Sequence, residues 1–141
     1  MFRFFRRNKI ISQPTGIEIR QNAREKKGVF ASRPFKPGQI IEEAPVILLD
    51  AAEREFLQST SLFNYYFIVN KSKACVALGL GYSSLYNHAP KANAVYSIAL
   101  GKAVIRIKAF RMIQEGEEIT LNYNGLPDDE TPVYFRQEAS P

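Results

Sequence analysis

Apolar and polar residues alternate over short stretches of this chain, and few stretches keep a helical period for long. In "TGIEIRQNA", residues 15–23, Ile17 and Ile19 alternate with Glu18 and Arg20, the period-2 signature of a half-buried strand. "VFAS", from Val29, reads as a second short strand after Gly28, a residue that permits unusual backbone conformations. "FKPGQ" is a turn, because Pro37 presets φ and Gly38 tolerates positive φ. "QIIEEAPVILLD" predicts two more short strands, broken at Pro45 or confined to an edge by it. Residues 50–69 hold the best helical pattern: Asp50 can cap the N-terminus, and Glu53 stands three positions on, as in a capping box. The second half of that stretch, "LFNYYFIV", is aromatic and β-branched, so the helix should give way there. "KACVALGLGYSSLYN" reads as a strand followed by a glycine-rich loop. "NAVYSIALGKAVIRIKAFRMI" reads as a hairpin turning at Gly101-Lys102, and "QEGEEITLNYNG" as a turn at Gly116, a last strand and a further turn. Many short strands with one main helix make a β-rich α+β fold. The long crossover helices of a βαβ winding are missing from the pattern.

Length adds one constraint: 141 residues suit a single domain with a real core. Within it we expect a basic arm over 1–14, a core over 15–125 and a tail or lid over 126–141. The net charge of +5 is unevenly spread. Residues 1–36 hold ten Lys/Arg against two Glu, whereas residues 37–141 hold nine against twelve acids. The basic arm reads first as a solvated segment; contact with nucleic acid is open to it but is not predicted. The lone cysteine, Cys75, lies in an apolar run and should be a buried structural thiol. One cysteine and one histidine leave no metal cluster to build. The start of the chain lacks the apolar region and cleavage site of a signal peptide, and no run is long enough for a membrane span.

The candidate chemistry gathers in "SSLYNHAPKANAVY", residues 83–96, which places Asn87, His88 and Asn93 between two tyrosines. Asparagine offers donor and acceptor together, and the small residues just before could admit a ligand to the backbone. A turn between strands explains each asparagine singly but not the combination. "EGEEITLNY", residues 115–123, taken alone is a Glu-Gly turn entering a strand, with two solvated acids. Together with "KGVFAS" (residues 27–32), however, these segments resemble the SET domain, the protein-lysine methyltransferase fold. "KGVFAS" is similar to the family's opening strand. "NHAPKAN" keeps the first, second and seventh positions of its Asn-His-Ser-Cys-x-Pro-Asn segment, and "GEEITLNY" is similar to its closing Gly-Glu-Glu-Leu-Thr-x-x-Tyr. The three pieces stand in family order over most of the chain. Lys26 replaces the first glycine of the opening turn, Ala89, Pro90 and Ala92 replace the middle of the second motif, and no zinc-binding cysteines follow the last.

The resemblance implies a SET-domain fold of several short-stranded sheets with one main helix, of the minimal bacterial or viral type. It implies S-adenosylmethionine as methyl donor and a lysine ε-amine of a protein, a histone or another basic protein, as acceptor. By the same resemblance Tyr123 is the catalytic tyrosine and also touches the cofactor. Asn87 contacts the cofactor's amino-acid end, the His88 main chain pairs with the adenine edge, and Gly28, Val29 and Phe30 lie against the methionine end. Tyr96, Leu121 and Tyr66 (or its neighbour Tyr65) line the lysine channel, and Phe135 or Tyr134 folds back as a lid. A lidless channel could be completed by a second copy, as a homodimer. The location would be cytoplasmic for an organism's own enzyme, or a host nucleus for a viral or secreted effector. Two other readings stay open: a catalytically silent SET-like interaction module, and a small basic nucleic-acid-binding domain.

Overall fold

The computed structural model describes residues 11–70 and 73–133. Nine strands and one helix follow in chain order: β1 (Ile17–Gln21), β2 (Lys27–Ala31), β3 (Ile40–Leu49), α1 (Ala51–Leu57), β4 (Tyr66–Asn70), β5 (Cys75–Gly79), β6 (Asn87–His88), β7 (Ala94–Ala99), β8 (Val104–Ala109) and β9 (Glu118–Leu121). Short 3-10 turns fall at Ser61–Asn64 and Leu100–Lys102. The strands hydrogen-bond in the order β1-β2-β9-β7-β8-β3-β5-β4, with β6 on β9 beside that path. The β-rich architecture with one helix is the one the patterning predicts. No helix among the described residues is long and apolar enough to cross a membrane.

Alternation sets the core. Ile105, Ile107 and Ala109 of β8 point inward, as do Ile119 and Leu121 of β9, and they pack with Val29, Phe35 and Ile113. Each large apolar side chain buried this way contributes about 1.5–3 kcal/mol. The β1–β2 turn is held by Asn22, whose side-chain oxygen accepts from the backbone N–H of Arg24 and of Lys26, while Glu25 takes the left-handed conformation.

Three expectations change. Pro45 does not split its segment: β3 is one strand of ten residues. The break lies in the pairing instead. β3 pairs with β8 through Pro45↔Val104, then with β5 from Val46↔Gly79 onward. At that handover Pro45 uses only its carbonyl, which accepts from the Leu80 N–H, so its missing donor costs nothing. The helix does give way as predicted, but sooner, after seven residues, none of them buried. Cys75 is only half-buried: it opens β5 next to a turn, its Sγ 3.6 Å from the Lys73 carbonyl oxygen. The 1–10 portion of the basic arm, Tyr134 and Phe135 lie outside the described residues.

Candidate active site

Two regions meet at β9. On one side, β6 runs parallel to β9, pairing Asn87 with Thr120 and His88 with Leu121, and β2 pairs with β9 through Val29↔Ile119 and Phe30↔Glu118. This brings the side chains of Asn87 and Glu118 against Gly28. Asn87 Nδ2 donates to the Lys27 carbonyl (2.9 Å) and to Glu118 Oε1 (2.6 Å), and Asn22 Nδ2 lies 3.4 Å from the same oxygen. Gly28 has no positive φ, so its need is space rather than backbone freedom. A Cβ there would stand 2.3 Å from Glu118 Oε1 and 2.9 Å from Asn87 Nδ2. Asn93 braces β9 from the other direction: its Nδ2 donates to the Glu118 carbonyl and its Oδ1 accepts from the Thr120 N–H, both at 2.9 Å.

On the other side lies a cavity of about 270 Å³ with Tyr65, Tyr66, Tyr86, Tyr96 and Tyr123 among its lining, alongside Phe63, Phe67 and Arg54. Phe67 and Tyr96 pack ring to ring at 4.9 Å. Tyr123 connects the two regions. Its ring lies 5.2 Å from the His88 ring, its N–H donates to His88 Nδ1 (3.1 Å), and its hydroxyl donates to the Tyr86 carbonyl. His88 must be unprotonated at Nδ1 to accept that bond, and burial lowers its pKa in keeping with this. Burial, helped by Tyr65 and Glu118, pushes the Tyr123 phenol well up. It therefore stays protonated near neutrality, with its proton directed at the Tyr86 carbonyl.

The sequence-derived candidates divide accordingly. Gly28, Asn87 and His88 gather around Glu118 and Tyr123, and Tyr66, Tyr96 and Tyr123 share the cavity. Phe30 is half-buried beside that cluster, its ring 5.3 Å from the Arg20 guanidinium. Val29 and Leu121 differ: both side chains are fully buried in the core, and Leu121 is not among the residues that line this cavity. Glu118 was missed because a Glu-Glu pair reads as solvated. Glu117 is indeed exposed, while Glu118 is half-buried and turned toward Gly28. Tyr86 and Glu42 were missed as well. Tyr86 is 1% exposed, and its hydroxyl donates to Glu42 Oε2 at 2.7 Å.

Similarity to known proteins converges on the same segments. The SET domain family matches residues 26–124. Over 125 residues the chain is 31% identical to the Schizosaccharomyces pombe histone-lysine N-methyltransferase, H3 lysine-37 specific, covering 88% of this chain and 80% of that protein. It is 35% identical to the Danio rerio N-lysine methyltransferase KMT5A-A, covering 77% of this chain but only 35% of that protein. In structure it resembles a candidate histone methyltransferase of Plasmodium falciparum, with a TM-score of 0.61, 28% identity, and coverage of 80% of this chain and 95% of that one. It shares its fold with a part of ctPRC2 in an autoinhibited conformation bound to S-adenosylmethionine (TM-score 0.63, 21% identity, 82% of this chain and 16% of that one).

Proposed function

Because the chain belongs to the SET domain family, and is thereby a protein-lysine methyltransferase, we propose that Tyr123 aligns the substrate amine in the tyrosine-lined cavity while the Gly28–Asn87–His88–Glu118 cluster holds the methyl donor. The observation that carries this is the orientation of Tyr123. Its hydroxyl is on the cavity wall with its proton directed at the Tyr86 carbonyl, which places a fixed phenol beside the path of an entering amine. A phenol held well above its ordinary pKa orients an amine without acting as its base.

The family uses S-adenosylmethionine, and the residues here fit it. The Glu118 carboxylate and the Asn87 amide pack directly over Gly28, with the Asn22 amide on the same carboxylate, a donor and acceptor set suited to an amino-acid group and hydroxyls. Asn87 and Glu118 would hold the amino-acid end, and the β6 backbone at His88 would lie along the rest. The bound cofactor would supply an electrophilic methyl group on a cationic sulfur that leaves as a neutral thioether, and the part of this chain is to present a neutral lysine nitrogen in line with it. A lysine amine has a solution pKa near 10.4, so the cavity must favour its neutral form. Its aromatic walls do so by excluding water, which disfavours the ammonium. Tyr96 and Tyr66 shape the walls, and Tyr123 fixes the direction of the nitrogen. The substrate is a protein. Support for a histone or similarly basic tail comes from the Schizosaccharomyces pombe relative and from the acidic excess of residues 37–141.

Replacing Tyr123 by Phe deletes the hydroxyl and nearly conserves volume. Methyl transfer to a histone peptide should fall on the order of 10²-fold while the cofactor Kd stays within a factor of two. Turnover equal to wild type would remove Tyr123 from the mechanism.

A further inference from the structure

Glu42 is a glutamate where the core should hold none. It lies in β3 at 2% exposure, whereas its neighbour Glu43 is half-buried and paired with Arg106 at 3.1 Å. A bulge explains how it came to face inward. The register between β3 and β8 shifts between Ile40 and Glu42, so Ile41 and Glu42 are buried in succession, and Glu42, Ala44 and Val46 then share the inward phase. A buried carboxyl is costly unless its oxygens are satisfied, and both are. Oε1 accepts from the Tyr82 N–H at 2.9 Å and Oε2 from the Tyr86 hydroxyl at 2.7 Å. The left-handed Gly81 (φ +63°) makes room for it, since a Cβ at that position would stand 2.7 Å from Oε1.

Those two contacts fall at the two ends of the 82–86 loop. Between them Ser83 and Ser84 line the cavity, and Ser84 Oγ ties the loop to the carbonyls of Tyr65 and Gly79, each at 3.0 Å. The last residue of the loop, Tyr86, presents the carbonyl that receives the Tyr123 hydroxyl.

We propose that Glu42 is a positioning residue for methyl transfer: its two carboxyl oxygens clamp the 82–86 loop at Tyr82 and Tyr86, and so set the Tyr86 carbonyl that aims the Tyr123 hydroxyl. The proposal rests on the role given to Tyr123 above. It predicts a defect in the rate of transfer and none in cofactor binding, because the carboxyl of Glu42 hydrogen-bonds to the loop behind the cavity and not to the Gly28 cluster.

The test is a double-mutant cycle on the full chain, read by single-turnover transfer from labelled S-adenosylmethionine to a histone peptide. Glu42→Met keeps volume but removes both acceptors, and Tyr86→Phe removes one donor while leaving the Tyr86 carbonyl in place. Each should lower the rate of folded protein on the order of 10-fold with the cofactor Kd unchanged. Glu42→Gln, which can still accept from Tyr82 and meet the Tyr86 hydroxyl, should restore most of the rate. In a Tyr123→Phe background the Tyr86→Phe change should add less than a factor of two, because the hydroxyl it would misdirect is already gone. If Glu42→Met does not fold, Tyr86→Phe and Glu42→Gln carry the test alone. Full multiplication of the two effects, or Tyr86→Phe rates equal to wild type, would overturn the positioning role. A Tyr123→Phe single variant as fast as wild type would instead overturn the assignment of Tyr123.

Discussion

A single histidine can look like a base and prove to be an acceptor. His88 takes a backbone N–H from Tyr123 at Nδ1, and burial holds its pKa below the ordinary 6.5. The folded state therefore binds a proton at His88 less readily than the unfolded chain. The stabilisation is complete above the unfolded value, shrinks as pH falls from about 6.5, and levels off once folded His88 is itself protonated. Glu42 is shifted the other way, raised by burial, so its contribution is largest below its unfolded value and fades as pH rises. Subtracting a His88→Asn variant from wild type in denaturant melts between pH 5 and 8 cancels that opposing part. The difference should grow with pH up to about 7, and a flat difference would mean that folding does not lower the His88 pKa. Asn87, His88 and Tyr123 were legible in the sequence because they stand at matching positions of the SET motifs the chain resembles. Glu118 and Glu42 were not, because their surroundings are set by β2 and by the 82–86 loop, far away in sequence.

Elements start more legibly than they stop. Asp50 and Glu53 form the expected reciprocal cap of α1: Glu53 N–H donates to Asp50 Oδ1 at 2.9 Å and Asp50 N–H to Glu53 Oε2 at 3.0 Å. The helix ends where Ser59 and Thr60 turn their hydroxyls back onto the Phe56 and Leu57 carbonyls, competition for the backbone that propensity alone does not locate. With no residue of α1 buried, packing lends it little support, so the cap should matter more than usual. Asp50→Ala should cost about 1 kcal/mol locally. It should be seen as faster amide exchange over residues 53–58, with β7 and β8 unchanged; unaltered exchange there would mean that the helix is held by something else. The continuity of β3 was illegible for a related reason. A proline in a strand is read as a break, and only the pairing shows that Pro45 sits where one partner leaves and another begins.

For the molecule as a whole, the donor site proposed above and the core share β9, so occupying the one should brace the other. A hundredfold excess of S-adenosylmethionine over its Kd should stabilise the fold by about 2.7 kcal/mol. That should appear as a rise of several degrees in Tm, and the Asn87→Ala variant should lose much of it; identical melting curves with and without cofactor would remove the cluster from consideration. The pairing of β2 with β9 joins Val29 to Ile119 across most of the chain, and β6 meets β9 from about thirty residues upstream. Contacts of that span form slowly, because a long loop must close first. During synthesis at roughly 5–20 residues per second, β2 waits on the order of 5–20 s for β9 to be made. Until Glu118 and Tyr123 have left the ribosome, neither the carboxylate beside Gly28 nor the phenol on the cavity wall exists, so on the role proposed for them a growing chain cannot yet methylate its own neighbours at the exit tunnel.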